Sequence, residues 1–568
     1  MNILGKKKLF IVEASGKIKK IKSLLNEIIS DDFDVVATNG RLFDLPKNEM
    51  GIDFDSMSIT KKVPLSGDVI SLLKRKINNA SHVYIMSDND IEGEVIAKDI
   101  TSLIDEKTPF SRVFFNSLTT ESLEEAINRN DSVNESSVSC GVSRRIFDRV
   151  VGFSLSSSWK NETNGSSFPG DVGRVLSPVL SEISSSSYEV AAIQKIIPSK
   201  DGGEWQIDIS VSNNDLKLGR NTKDLLLTIG DPEITEVGRA EFDDDTELWS
   251  GTDTLSNICR ELNESPSIVM NCLQELYEDG DISYPRSDSR HLSLSSFHEL
   301  RAVAESFGFN DMVFEKIKTT AGDAHNHKIQ GAHEAVIPLT SRVDVNIPIH
   351  SLALKDQVLQ IITKNAICAG RENVKKIISY GSIAGNSPED RAWQTILSRF
   401  SPGSVTIRKT HTETKGFKRK NHQNNIFKYG TAASFSMNNT SIRYKELKKE
   451  VIVLSIMCKI GIGRPSTMDA HSEKIAKRFL DNNKQLNKWG ELSIKRAEIL
   501  APGLISRKNY QEIDRILHAI NEDASIKDRI TLALKEGSIT INSGEGSGLA
   551  TPKESSRKLP ERTDPSIF

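Results

Sequence analysis

The chain has 568 residues, 37% hydrophobic and 27% charged, with a formal net charge of −3. That length allows several domains with cores of their own, and the composition is that of an ordinary soluble protein, which excludes a fibrous or wholly disordered chain. A balance this near neutral also excludes nucleic-acid binding through the field of the whole chain, so any polyanion has to be met by local basic patches.

The first 130 residues alternate strand and helix. The pattern predicts a strand over 9–14, a helix from Ile18, a strand over 35–38, a helix over 69–77, a strand over 83–87 followed by a helix, a strand over 113–115 and a helix from Thr120. Such alternation reads as a parallel sheet covered by helices. Two of its strands end in polar residues. Glu13 closes the run Leu9-Phe10-Ile11-Val12 and is followed by Ala14-Ser15-Gly16-Lys17, a short loop that opens a helix. A carboxylate and a lysine on such a turn suit a proton or phosphate role, although a cap beside a surface lysine has the same pattern. The Walker pattern is incomplete, because Ile11 stands where its first glycine belongs and Ile18 follows Lys17, so ATP hydrolysis is not indicated.

The next polar strand end is Asp88-Asn89-Asp90-Ile91-Glu92-Gly93-Glu94, four carboxylates in seven residues directly after Val83-Tyr84-Ile85-Met86. Open α/β sheets build their sites at the C-terminal edge of strands. Asp88, Asp90 and Glu92 alternate, so their oxygens can converge on one hard divalent cation of the Mg²⁺ type; a solvated charge run is the alternative.

Residues 135–200 read as helical, 203–250 as short strands that include 205–211 and 225–229, 255–370 as helical, 376–440 as strand-like and polar, and 441–535 as helical again. A chain in this order leaves one domain, builds another and returns through the first, which would close a ring or clamp. Tyr284-Pro285-Arg286 follows a helix and the turn Asp279-Gly280-Asp281. In an extended segment the arginine shares the tyrosine's side and can neutralise a phosphate under attack, a reasonable phosphodiester-cleaving pair. A phenol with a pKa of about 10 needs help to ionise, and a core tyrosine beside a surface arginine would look alike. His333 has no H-E-x-x-H partner, since Ile337 occupies that position, and His325 and His327 read as solvated loop residues. Residues 408–428 hold seven Lys and Arg against the single acid Glu413, with Phe417 and Phe427 interleaved; a flexible stretch of this kind can track a phosphate backbone and stack on bases. Gly461-Ile462-Gly463-Arg464-Pro465-Ser466-Thr467 leads into a helix, with Ser466 and Asp469 spaced as a capping box and Arg464 at a phosphate-binding corner. Cys140, Cys259, Cys272, Cys368 and Cys458 form no C-x-x-C pair, which argues against a zinc ribbon and for a reducing, cytoplasmic compartment. No apolar run reaches the roughly 20 residues of a membrane span. Beyond about 540 the composition reads as a disordered tail.

In order, these segments resemble a type IA DNA topoisomerase. Phe10–Lys17 and Gly40-Arg41-Leu42-Phe43-Asp44-Leu45-Pro46 are similar to its opening strand and loop, and 88–94 to the acidic D-x-D-R-E-G-E element of a Toprim domain. Arg144-Arg145-Ile146-Phe147-Asp148 and Gly173-Arg174-Val175 are similar to gate-base motifs, 276–280 with 284–289 to the active-site tyrosine motif, Ala332-His333-Glu334-Ala335 to the histidine motif, and 461–467 to the late G-I-G-R-P-S-T motif. The resemblance implies a multidomain α/β and α fold forming a toroidal clamp. Its parts would be a Toprim domain over 1–132, a helical DNA-binding gate base over 133–202 and 431–535, a β-rich hinge over 203–252 and 371–430, an active-site domain over 253–370 and a tail over 536–568.

It further implies that Tyr284 attacks one strand of single-stranded or negatively supercoiled DNA and holds its 5′ phosphate, without ATP. Arg286 would stabilise the phosphate, Glu13 would protonate the leaving 3′ oxygen with Lys17 assisting, and Asp88, Asp90 and Glu92, with Glu13 beside them, would hold Mg²⁺. His333, Arg144, Asp148, Arg174, Arg464 and Ser466 would support DNA binding by a monomer, with RNA left open as a second substrate. Five positions depart from the family pattern: Ile91 stands for an arginine, Arg41 for a histidine, Phe43 for an arginine, Ser117 for a glutamate and Leu176 for a polar residue. The alternatives are a weakly catalytic DNA-binding clamp and a Toprim nuclease or primase, the latter disfavoured by the tyrosine motif.

Overall fold

The computed structural model describes residues 6–115, 117–156, 170–200, 203–243, 246–319, 334–371, 374–401, 403–414, 442–519 and 525–539. The strands β1 (Lys7–Val12), β2 (Phe33–Ala37), β3 (Ala80–Met86) and β4 (Phe110–Arg112) form one parallel sheet in the order β2-β1-β3-β4. A parallel sheet is covered on both faces, and the alternation of side chains shows how. Leu9, Ile11, Val83 and Ile85 meet Ile70, Leu73 and Ile77 of the helix Gly67–Asn78 and Ile96 and Ile100 of the helix Ile91–Thr101. On the other face Phe10, Val12 and Met86 join a larger core with Ile21, Leu24 and Leu25 of the helix Lys17–Ile28.

The strand order fixes where a site can form. The chain runs outward from β1 to β2, then crosses back to lay β3 on the other side of β1, with Val12 opposite Met86. The crevice past the carboxyl ends of β1 and β3 is the switch point of an open sheet. Glu13 and Asp88 are the residues that enter it.

A second sheet, all antiparallel, follows the order β7-β8-β9-β6-β5-β10, where β5 is Glu189–Pro198, β6 Glu204–Ser212, β7 Thr235–Asp243, β8 Val374–Ser382, β9 Val405–Thr414 and β10 Arg443–Glu446. It therefore takes in β5 and β10, which sequence reading left with the helical halves 133–202 and 431–535. Two further expectations change here. Residues 225–229, read as a strand, are the end of the helix Leu216–Leu226 and the turn after it, because Leu216, Gly219, Thr222 and Leu226 fall on one helical face against the sheet. The basic stretch starts as β9, not as a loop: Arg408 pairs with Asp208 at 3.2 Å and Lys409 is buried. Residues 415–428 lie outside the described residues, as do His325, His327, His333 and the tail beyond 539.

The helices Gly251–Leu262, Pro266–Asp279 and Lys449–Ile460 pack with Met468–Phe479 on the same apolar core as the parallel sheet. Among the described residues no helix is long and apolar enough to cross a membrane.

Candidate active site

The acidic turn is built by hydrogen bonds between side chains and backbone. Asp90 caps the helix Ile91–Thr101, its Oδ1 accepting the Gly93 N–H at 2.7 Å, and the Ser87 hydroxyl donates to the Gly93 carbonyl at 2.7 Å. Gly93 sits so close to Asp88 that a Cβ there would lie 2.0 Å from the Asp88 carbonyl oxygen and 2.8 Å from its carbonyl carbon. Since backbone cannot yield as a flexible side chain does, Gly93→Ala is expected to cost about 2 kcal/mol or more; thermal melts read the loss, and an unchanged melt would mean that the turn has slack.

Arg112, fully buried, pins the turn from below. Its Nε donates to Glu94 at 2.7 Å, Nη2 to the Asp88 carbonyl at 2.9 Å, and Nη1 to the carbonyls of Ile85 at 3.1 Å and Val113 at 2.9 Å. Sequence reading missed this residue, because Glu94, Asp88 and Ile85, which it holds, lie 18 to 27 positions away in sequence. Ile91, one of the five departures, begins the helix and faces Gly141, where a Cβ would come within 3.1 Å of it. Arg41, another departure, lies 3.2 Å from Glu92.

Each carboxylate of the turn has a different partner. Lys17, with no exposed surface, pairs with Asp88. Asp90 Oδ2 accepts the Tyr284 hydroxyl at 2.7 Å, and Glu92 faces Arg41. The three oxygens are therefore not drawn to one point, and among the described residues no group of three or more His, Cys, Asp or Glu is disposed to hold a metal. The charges are nevertheless crowded. Glu13 accepts the Asp88 N–H at 3.2 Å, and its carboxyl is pushed up to about 8 by burial and by the negative charges of Asp88 and Asp90, which Lys17 only partly offsets. Burial also raises Glu92, against the pull of Arg41. An all-oxygen donor set fits a hard divalent cation in its chemistry.

Tyr284 comes from the opposite wall. The helix Pro266–Asp279 starts with proline at its first turn and ends at Gly280, whose φ of 80° gives the left-handed C-cap. Serines then bolt the segment on both sides of Tyr284. The Ser283 hydroxyl donates to the Ala335 carbonyl at 2.9 Å and accepts the Ile337 N–H at 2.9 Å; the Ser287 carbonyl accepts the Gly251 N–H at 2.7 Å. Residues 285–286 form a turn rather than the extended segment expected, yet Arg286 still feels Tyr284, Asp88, Asp90 and Glu13, which hold its pKa above the usual value despite burial. Burial first, then Asp90 and Asp88, raise the Tyr284 phenol well above 10.

One cavity of about 480 Å³ joins these groups to a second cluster, lined at one end by Glu13, Asp90, Glu92 and Arg286 and at the other by Arg144, Asp148, Arg174, Arg464, Ser466 and His471. Arg174 forks onto Asp148 at 2.8 and 3.0 Å and reaches Asp514 at 3.0 Å; Arg464 shares Asp514 and lies 3.5 Å from Asp288. Asp514 and His471 were not singled out from sequence. The capping box expected at Ser466 does not form: Thr467 is the N-cap of Met468–Phe479, with no side-chain cap bond, which leaves Ser466 on the cavity wall. The Nε atoms of Arg144, Arg286 and Arg464 are buried without a hydrogen-bond partner. Buried donors of this kind call for an acceptor, and an anion in the cavity would supply it.

His471 carries a pH signature. Burial and the charges of Arg174, Lys474 and Arg144 hold it at about 4, although Asp148 pulls the other way. Its folded pKa is below the unfolded value, so the neutral ring stabilises the fold above pH 6.5, and that contribution falls away as the pH drops towards 4. Melting wild type and His471→Gln across this window should show the wild type losing up to ~3 kcal/mol relative to the variant; parallel curves would contradict the buried neutral ring.

The match to known proteins follows the same architecture. A Toprim domain model matches residues 8–118, and a DNA topoisomerase family model matches 132–529. The DNA topoisomerase 1 of Mycoplasmoides gallisepticum is 26% identical over 446 residues, covering 66% of this chain and 58% of that protein. A plasmid DNA topoisomerase I of Xylella fastidiosa is 26% identical over 351 residues, covering 58% and 51%. The chain thus spans a little over half the length of these relatives. The full-length topoisomerase I of Thermotoga maritima shares the fold with a TM-score of 0.58 at 20% identity, over 93% of this chain and 89% of that one. With a parallel sheet where the Toprim model matches and the tyrosine segment inside the second match, the chain belongs to the type IA DNA topoisomerase family.

Proposed function

We propose that the protein cleaves one strand of DNA through a 5′-phosphotyrosine, lets another strand pass and reseals the break, relaxing or decatenating DNA without ATP. The observation that carries this reading is the Tyr284 hydroxyl on Asp90, a residue that lines the cavity together with Arg144, Arg286 and Arg464, whose Nε donors are buried without a hydrogen-bond partner.

In cleavage, Tyr284 Oη attacks the phosphorus, the new O–P bond forms and the P–O3′ bond breaks. The phenolic proton goes to Asp90, its existing hydrogen-bond acceptor, and the 3′ oxygen takes a proton from Glu13. A carboxyl with a pKa of about 8 still carries its proton at neutral pH, which suits it to this role. Lys17 keeps Asp88 neutralised beside the acid, and Arg286 balances the charge that develops on the phosphate. Asp88, Asp90 and Glu92, with Glu13 beside them, would hold Mg²⁺, whose charge would ease ionisation of the phenol and offset the crowded carboxylates. Arg144, Arg174 and Arg464, with Ser466, Asp148 and His333, would carry the neighbouring backbone. Religation runs the same steps in reverse, and the diester energy is kept in the phosphotyrosine.

The domain division, a monomeric state and single-stranded DNA as the bound form belong to the same proposal. The test incubates the protein with end-labelled single-stranded DNA, with and without Mg²⁺, and denatures the mixture. A protein-linked fragment that retains the label on the 3′ side of the break is the expected result. DNA binding without any adduct would sink the cleavage reading and leave a clamp.

A further inference from the structure

The ammonium of Lys17 is in an unusual position. It belongs to the first residue of a helix, where the macrodipole disfavours a cation, and it has no exposed surface. Asp88 pairs with it, and the Glu13 carboxyl feels its charge. Against it also lies an aromatic ring: the centre of Tyr277 is 4.8 Å from Nζ.

Tyr277 stands in the last turn of Pro266–Asp279 and is 1% exposed. Besides meeting Lys17, its ring packs against that of Tyr284 with centroids 5.4 Å apart and planes at 71°, an edge-to-face pair. One ring thus touches both the lysine beside the acid Glu13 and the nucleophile. Its backbone is held tightly. Gly280 caps the helix in the left-handed conformation, and the neighbouring Glu278 carboxylate fills the space at Gly16, where a Cβ would lie 1.7 Å from its Oε2. The helix tip and the loop that carries Lys17 are therefore in direct contact.

Resting on the cleavage reading above, we infer that Tyr277 is a positioning residue for the reaction: its ring sets the distance between Lys17 and Tyr284 by cation–π contact on one side and edge-to-face packing on the other. The hydroxyl is not needed for this role; the aromatic ring is. Tyr277→Phe should therefore keep the function and Tyr277→Met, which fills similar volume without a ring, should lose it.

The experiment measures single-turnover adduct formation at saturating end-labelled single-stranded DNA, with affinity measured separately. The Phe protein is expected within about threefold of wild type and the Met protein roughly 10- to 100-fold slower, with affinity unchanged. In a Lys17→Gln background, Tyr277→Met should slow the reaction by less than about threefold further, because the partner is already gone. If the Met protein melts near assay temperature, Tyr277→Leu is read in its place. A Met protein as fast as wild type, a Phe protein as slow as Met, or a full additional loss in the Lys17→Gln background would each overturn the inference. Failure of the wild type itself to form an adduct overturns the cleavage reading instead, so the two failures are told apart.

Discussion

Tyr284→Phe should form no DNA adduct, a loss of roughly 10⁴-fold or more, while remaining folded and able to bind DNA. The expectation follows from what surrounds the phenol. Its oxygen faces Asp90, the ring is 3% exposed, and burial with two nearby carboxylates keeps it protonated at rest. Among the described residues the Ser283 hydroxyl beside it is held by the Ala335 carbonyl and the Ile337 N–H, and Tyr277 is buried beneath with its ring on Lys17. Loss of one hydrogen bond should change stability by only about 1 kcal/mol. Residual adduct in the Phe protein would move the nucleophile elsewhere, and an unfolded Phe protein would mean that the Tyr284–Asp90 bond holds the two walls together.

Arg112→Leu is the change with the largest expected effect on stability. It takes the charge partner from Glu94, which keeps only the Asn134 N–H at 2.7 Å, and a donor from three backbone carbonyls, of which, among the described residues, Ile85 alone retains another, the Val113 N–H at 2.9 Å; removing one partner of a buried pair costs about 3–5 kcal/mol. Arg112→Lys should restore little, since an ammonium cannot fork across acceptors that lie on three sides. Urea denaturation with the adduct assay in parallel would show a large fall in midpoint and loss of cleavage together. A midpoint within about 1 kcal/mol of wild type would mean that the acidic turn supports itself.

The features legible in the sequence are those set by near neighbours. The parallel sheet follows from short apolar runs between helical patterns, and the acidic turn from its place after β3. Glu13, Lys17, Asp90, Tyr284 and Arg286 do come together, because the strand order brings the ends of β1 and β3 side by side. Features that depend on distant partners were hidden. Arg112 looks like any strand residue until Glu94 and the Asp88 carbonyl are seen around it. Asp514 lies 340 residues from Arg174, its partner at 3.0 Å. The error at 225–229 has a local cause, since Leu225-Leu226-Leu227 suits a buried strand as well as a helix end. The capping box at Ser466 failed because the helix begins one residue later than the spacing implies.

The hydrogen bond between Tyr284 and Asp90 joins residues 194 positions apart and spans two walls that the chain builds separately. Its consequence is an interlock. Glu13, Lys17 and the carboxylates stand on the parallel sheet, whereas Tyr284 rides on the helical wall, so the proposed chemistry would exist only while the walls touch. Once a strand is held as phosphotyrosine, parting the walls would carry the 5′ end away from Glu13 and Lys17 and suspend resealing. A broken strand could then stay open for passage without being rejoined too soon, and closing would by itself restore the groups that mend it.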